Sequence, residues 1–205
     1  MLPAPQEMVQ QITALHAATV VRWHAATPDN RYDGLLAAVC QQHQYNFLLW
    51  HEEDIARSPD VSDRRIAAVK RSIDRYNQQR NDWIEKIDEA LIELLAEEGV
   101  RPGPAARLNT ESPGSAIDRL SIMALRIYHL DEQRARDDVD QIHRGKVRER
   151  LDRCRVQQAD LAQALVELLD DIRAGRKLLK VYRQMKMYND PTLNPYLYRS
   201  RRLVG

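Results

Sequence analysis

The groups in this chain that could do chemistry are arginines, amides and carboxylates set into otherwise apolar stripes. Asn46, Trp50, Asp54 and Arg57 share one such stripe with Leu36, Val39 and Phe47. Arg80 falls at the centre of a second, with Asn77 beside it and Asn81 and Asp88 along the edge. Asp118 is embedded in a third, in the segment LNTESPGSAIDRLSIMALRIYHL, with Glu111 in the loop just before it. An arginine keeps its charge when buried, so its site demands a carboxylate or a bound anion. A carboxylate inside an apolar helix face costs stability unless it is paired. Arginine, amides and an indole together suit a phosphate or carboxylate carried on a sugar. The same groups also suit a structural ion pair that fixes helix register, and the sequence leaves both readings open.

Other chemistry is less well supported. Glu53, Asp54, Glu85, Asp88, Glu111 and Asp118 are numerous enough to hold Mg²⁺ through waters. Glu85 and Asp88 have the E-x-x-D spacing of all-α nucleotide pyrophosphohydrolases, but the partner E-x-x-E is missing because Ala56 follows Glu53 at that spacing. The H-E-x-x-H zinc motif fails at Ile55. No G-x-S-x-G, Walker A or G-x-G-x-x-G occurs. Neither a metal nor a cofactor is assigned from these motifs. A metal-assisted hydrolase or transferase acting on a phosphorylated small molecule is the second reading. Ser112-Pro113-Gly114 opens a helix whose free N–H groups could hold phosphate, although capping is the commoner use.

These residues must be positioned by helices. Periodicity predicts helices from about Pro5 to Ala26, Asp33 to Arg57, Val61 to Glu98, Pro113 to Asp131 and Asp137 to Ala174, the last open to extension toward Met187. The third would exceed ~50 Å. The fold class expected is all-α, a single-domain bundle of about five long antiparallel helices over 1–188, followed by an irregular basic tail over 189–205. Short first and second connections imply antiparallel neighbours. Pairing helices across those turns puts His16, His43, Asn77 and Arg80 in one layer. A loop of about 15 residues could reach ~45 Å and return Glu111 and Asp118 to it.

Composition agrees. The 205 residues are 30% charged and 43% hydrophobic, with seven Gly and one Phe, which argues against a β-sandwich or a Rossmann sheet. The net charge of +1 makes the whole molecule no polyanion binder. The two cysteines, Cys40 and Cys154, suggest no disulfide framework. No apolar run approaches a membrane span, and the first residues lack a signal-peptide pattern, so a cytoplasmic location is expected. The basic, tyrosine-containing segment from Arg173 onward could contact nucleic acid or anionic lipid. The acidic 52–98 region is its expected partner instead, and nucleic-acid binding is a minority reading. Long helices of this kind commonly dimerise, which leaves a homodimer open.

The segments QHQYNFLLWHEEDIAR, KRSIDRYNQQRNDWIEKID and LNTESPGSAIDRLSIMALRIYHL resemble a bacterial family known as a domain of unknown function. The resemblance runs from the second helix to the YNDPTLNP tail. It implies that Asn46, Trp50, His51, Glu53, Asp54, Arg57, Asn77, Arg80, Asn81, Asp88, Glu111, Gly114, Asp118 and Arg119 are the family's motif positions. It also implies a pathway, envelope polysaccharide assembly, because members are often encoded beside glycosyltransferases. The function expected is therefore an accessory or ligand-binding protein of that pathway, with a glycosyltransferase or a sugar phosphate as partner. The residues expected to carry it are Asn46, Trp50, Asp54, Arg57, Asn77, Arg80, Asn81, Glu111 and Asp118.

Overall fold

The computed structural model describes residues 2–202, without the side chains of Tyr188, Ser200, Arg201 and Arg202. Those four side chains and residues 203–205 of the expected basic tail lie outside the described part. Five long helices make up the body: α1 (Pro5–Ala25), α2 (Gly34–Ala56), α3 (Asp63–Glu97), α4 (Pro113–Ala135) and α5 (Gln141–Arg173). Local chemistry sets their starts. The side chains of Ser62, Ser112 and Asp140 accept the free N–H of Arg65, Ser115 and His143, as helix N-caps do. Pro113 sits at the first turn of α4, where its missing N–H costs nothing.

α5 ends where expected, with Ala174 as its C-cap, and the extension left open toward Met187 does not form. Gly175 takes φ +71°, and the Arg176 N–H closes back on the Asp171 carbonyl at 2.8 Å, a left-handed stop that ends the helix at Arg173. Within the tail expected to be irregular, Pro195–Arg202 forms a short helix, α6. The Asn194 side chain accepts the Tyr196 N–H at 3.0 Å and Pro195 follows it, an N-terminal signal in its own right. The sequence also gave no hint of strands, yet β1 (Arg107–Leu108) and β2 (Lys177–Leu178) pair in parallel and tie the loop after α3 to the segment after α5.

The main core gathers Ile12, Val20 and Trp23 of α1, Val39 and Phe47 of α2, Ile87 and Leu91 of α3, Ile117, Leu120 and Leu125 of α4, and Leu165 and Leu169 of α5. A smaller cluster joins Leu49, late in α2, to Val69 and Ile73, early in α3, so these two helices are antiparallel. Asp88 late in α3 meets Gly114 at the start of α4, and Asp131 late in α4 meets Arg155 in α5, so those pairs are antiparallel too. α1 and α2 differ. His16 meets His43 at 4.6 Å and His24 meets His51 at 5.1 Å between ring centroids, so residue numbers rise together and the two helices run in the same general sense. The connection 26–33 is non-helical, with its ends at Ala26 and Asp33 extended, and its Asp29 lies back against Arg22 and Trp23. Eight extended residues reach about 27 Å, enough for that return.

The α3–α4 contact has no room for a side chain at Gly114. A Cβ there would lie 2.6 Å from the Ile84 carbonyl oxygen and 3.0 Å from the Asp88 carboxyl. Asp88 uses that proximity to accept the Gly114 N–H at 2.7 Å. Gly114→Ala is expected to cost about 1–3 kcal/mol, because backbone must move to admit the methyl. Urea denaturation would show a lower midpoint at unchanged slope. An unchanged midpoint would mean that the two helices do not approach this closely. Among the described residues no helix is long and apolar enough to cross a membrane.

Candidate functional site

A cavity of about 340 Å³ opens between α2, α3 and α4. That volume lies in the range of small-molecule sites. Its polar walls are Asn46, Trp50, Asp54 and Arg57 from α2 and Asn77 and Arg80 from α3. Leu49, Ile122 and Leu125 make its apolar surface, and Glu53 joins at the mouth. The spacing follows from helix geometry: 46, 50, 53, 54 and 57 rise along one face of α2, and 77 and 80 sit one turn apart on α3. Asp54 and Arg57 are exposed, Trp50, Asn77 and Arg80 are half-buried, and Asn46 is buried.

Behind this wall lies a polar network. Asp118 is only 7% exposed and accepts hydrogen bonds from Gln42 Nε2 at 2.5 Å and Asn46 Nδ2 at 2.9 Å. The Arg80 guanidinium is 3.5 Å from the same carboxylate oxygen. That contact is an ion pair without hydrogen-bond geometry, so Arg80 Nε is left without a hydrogen-bond partner. Burial pushes the Asp118 carboxyl above its ordinary value, and Arg80, Asn46 and Gln42 pull it back. The Asn46 amide also donates to Ser121 Oγ at 2.8 Å, and Ser121 contacts His43 Nδ1 at 2.6 Å. His43 packs on His16. Both rings are fully buried, and burial holds His16 down to about 3 and His43 well below the usual imidazole range.

The expected layer is therefore present as a chain of contacts from His16 through His43, Ser121, Asn46 and Asp118 to Arg80, with Asn77 beside Arg80 on the cavity wall. Six of the nine expected site residues line one cavity. Asp118 stands directly behind it. Asn81 is buried but not on the cavity wall, and Glu111 turns outward to pair with Arg119 at 2.7 Å. Asp88 and Gly114, two further motif positions, define the α3–α4 approach rather than the cavity. Gln42 and Ser121 were not anticipated. Among the described residues, His24, His51 and His129 are the group whose ligand atoms converge closely enough to hold a metal ion.

The basic segment has an intramolecular partner. Arg183 pairs with Glu85 at 3.1 Å and with Glu89, and the Gln184 N–H reaches Glu85 at 2.8 Å.

Comparison with known proteins matches residues 36–181 to the family described as "Protein of unknown function (DUF4254)". The chain belongs to this family. The match covers nearly all of α2 and the whole of α3, α4 and α5, so the whole cavity of this DUF4254 chain lies within it. No curated protein and no solved structure matches the chain.

Proposed function

We propose that the chain is a binding protein for a small phosphorylated, sugar-bearing molecule, seated in the cavity between α2, α3 and α4. The observation that carries this reading is the state of Arg80. Its Nε faces Asp118 at 3.5 Å, and its side chain, 28% exposed, lines the cavity. One long ion pair leaves most of the five guanidinium donors unused, and an anionic ligand oxygen would take them. Asn46 and Asn77 supply neutral amides beside it. Trp50 stacks on His129 at 4.9 Å between ring centroids and 8° between planes, which fixes its ring plane, and it lines the cavity where a sugar would pack. Arg57 at the mouth is tied to Glu53 and would meet a second phosphate only by leaving it.

We assign the protein a cytoplasmic, accessory role in envelope glycan assembly, with a glycosyltransferase as the expected partner. That assignment is supported by the family resemblance and not by the cavity. Calorimetric titration with inorganic phosphate, a hexose phosphate and the corresponding neutral hexose tests the ligand class. The hexose phosphate should bind most tightly, phosphate more weakly, and the neutral sugar not measurably. Equal binding of neutral and phosphorylated sugar would refute the anion site.

A further inference from the structure

Three histidines that the cavity does not use converge where α1, α2 and α4 meet. His24 lies in the last turn of α1, His51 near the end of α2 and His129 in the second half of α4. One ring nitrogen of each lies within 4.8 Å of the other two. Hydrogen bonds decide which nitrogen that is. His24 Nδ1 is 2.7 Å from the Val20 carbonyl oxygen, and His51 Nδ1 is 2.8 Å from that of Phe47. His129 Nδ1 is 2.8 Å from a Glu132 carboxylate oxygen. These oxygens only accept, so each Nδ1 carries the proton and donates it. In the neutral ring each Nε2 then keeps a free lone pair. The Nε2 atoms of His24 and His129 are buried and have no hydrogen-bond partner.

We propose that His24, His51 and His129 form a three-histidine site for a divalent transition-metal ion of the zinc class, bound through their Nε2 atoms. Imidazole nitrogens select such ions over Mg²⁺ and Ca²⁺, which take oxygen ligands. Three histidines with Nδ1–H held by carbonyl or carboxylate oxygens are the usual arrangement around zinc, and Glu132 fills the carboxylate role behind His129. A tetrahedral zinc with bonds of 2.0–2.1 Å separates its ligand nitrogens by roughly 3.3 Å. With all three ligand atoms within 4.8 Å of one another, no pair needs to close by more than about 1.5 Å.

Aromatic packing accounts for part of the cluster: His24 stacks on Tyr128 at 4.1 Å and His129 on Trp50. Packing alone does not require all three Nδ1–H groups to point away and all three Nε2 atoms to point inward. The bound ion would fasten the end of α1 to α2 and α4 and, through His129, hold the plane of Trp50. A fourth coordination position would remain for water.

Untagged, chelator-treated protein titrated with Co²⁺ should saturate at one equivalent with the visible absorption of a four-coordinate ion, and Zn²⁺ should displace it. In the unaltered protein, the ring-nitrogen NMR signals of His24, His51 and His129 should shift at Nε2 with zinc, while those of His16 and His43 stay put. His51→Asn and His129→Asn should each abolish saturable binding. Glu132→Gln should weaken it about 10–100-fold. His143→Ala, on α5, should leave it unchanged. Absence of saturable binding, binding that survives both histidine variants, or zinc-induced shifts confined to other histidines would overturn the proposal.

Discussion

Asp118→Leu is expected to lower unfolding stability by about 3–5 kcal/mol, the largest loss foreseen for one polar side chain here. The carboxylate holds Gln42, Asn46 and Arg80 together in a buried place. Removing it strands two amide donors and leaves a half-buried guanidinium without a counter-charge. Arg80→Met should cost less, about 1–2 kcal/mol, because Asp118 keeps its two neutral donors and can take up a proton. The double variant Arg80→Met/Asp118→Leu should then be more stable than Asp118→Leu alone, since it removes the stranded charge. Urea unfolding of all four proteins measures this coupling. Simple additivity of the two losses would mean that Arg80 and Asp118 do not act as a pair.

The second large effect concerns acid. His16 is held neutral by burial, with its pKa down at about 3 against an ordinary 6.5, and His43 is displaced in the same direction. The unfolded chain binds these protons first, so stability is complete above about pH 6.5 and falls as the pH drops toward 3. Each unit is worth about 1.4 kcal/mol, so His16 alone should remove on the order of 3 kcal/mol between pH 6.5 and 4. The buried carboxyls of Asp118 and Asp88, both raised, act oppositely: the folded state holds their protons more tightly, so acid favours it. They offset part of the loss that the two imidazoles bring. Neither ring nitrogen of His16 has a hydrogen-bond partner. His16→Leu should therefore keep near-normal stability at pH 7 and flatten the acid slope. Denaturation at pH 7 and pH 4.5 compares them. An acid slope unchanged in His16→Leu would rule out this origin.

Much of the architecture was legible in the sequence because it rests on local rules. Ser112-Pro113 marked the start of α4, and the helical period put Arg80, Asn46 and Asp118 on facing stripes where a charge must be answered. Gln42 and Ser121 were not legible: a neutral amide or hydroxyl on a stripe raises no demand for a partner, and their roles depend on the rotation of α2 against α4. The histidine cluster was hidden for a different reason. Pairing α1 antiparallel to α2 puts His24 at the far end from His51. Only the returning course of 26–33 brings the two together, and chain sense across a non-helical connection is a tertiary property. The two-residue strands were likewise below any periodic signal. The end of α5 at Ala174 was legible, because Gly175 just past a helical stripe is the usual stop.

The most direct test of the account is thermal unfolding of the protein and of its Arg80→Met variant with a hexose phosphate or a nucleotide sugar. A ligand at 100 times its Kd stabilises the native state by about 2.7 kcal/mol. For a chain of this length that corresponds to a rise of roughly 5–10 °C in Tm. The account predicts such a rise for the unaltered protein and none for a folded Arg80→Met variant. An equal rise in both proteins, or no rise with any phosphorylated sugar, would contradict a cavity built around Arg80 as an anion site.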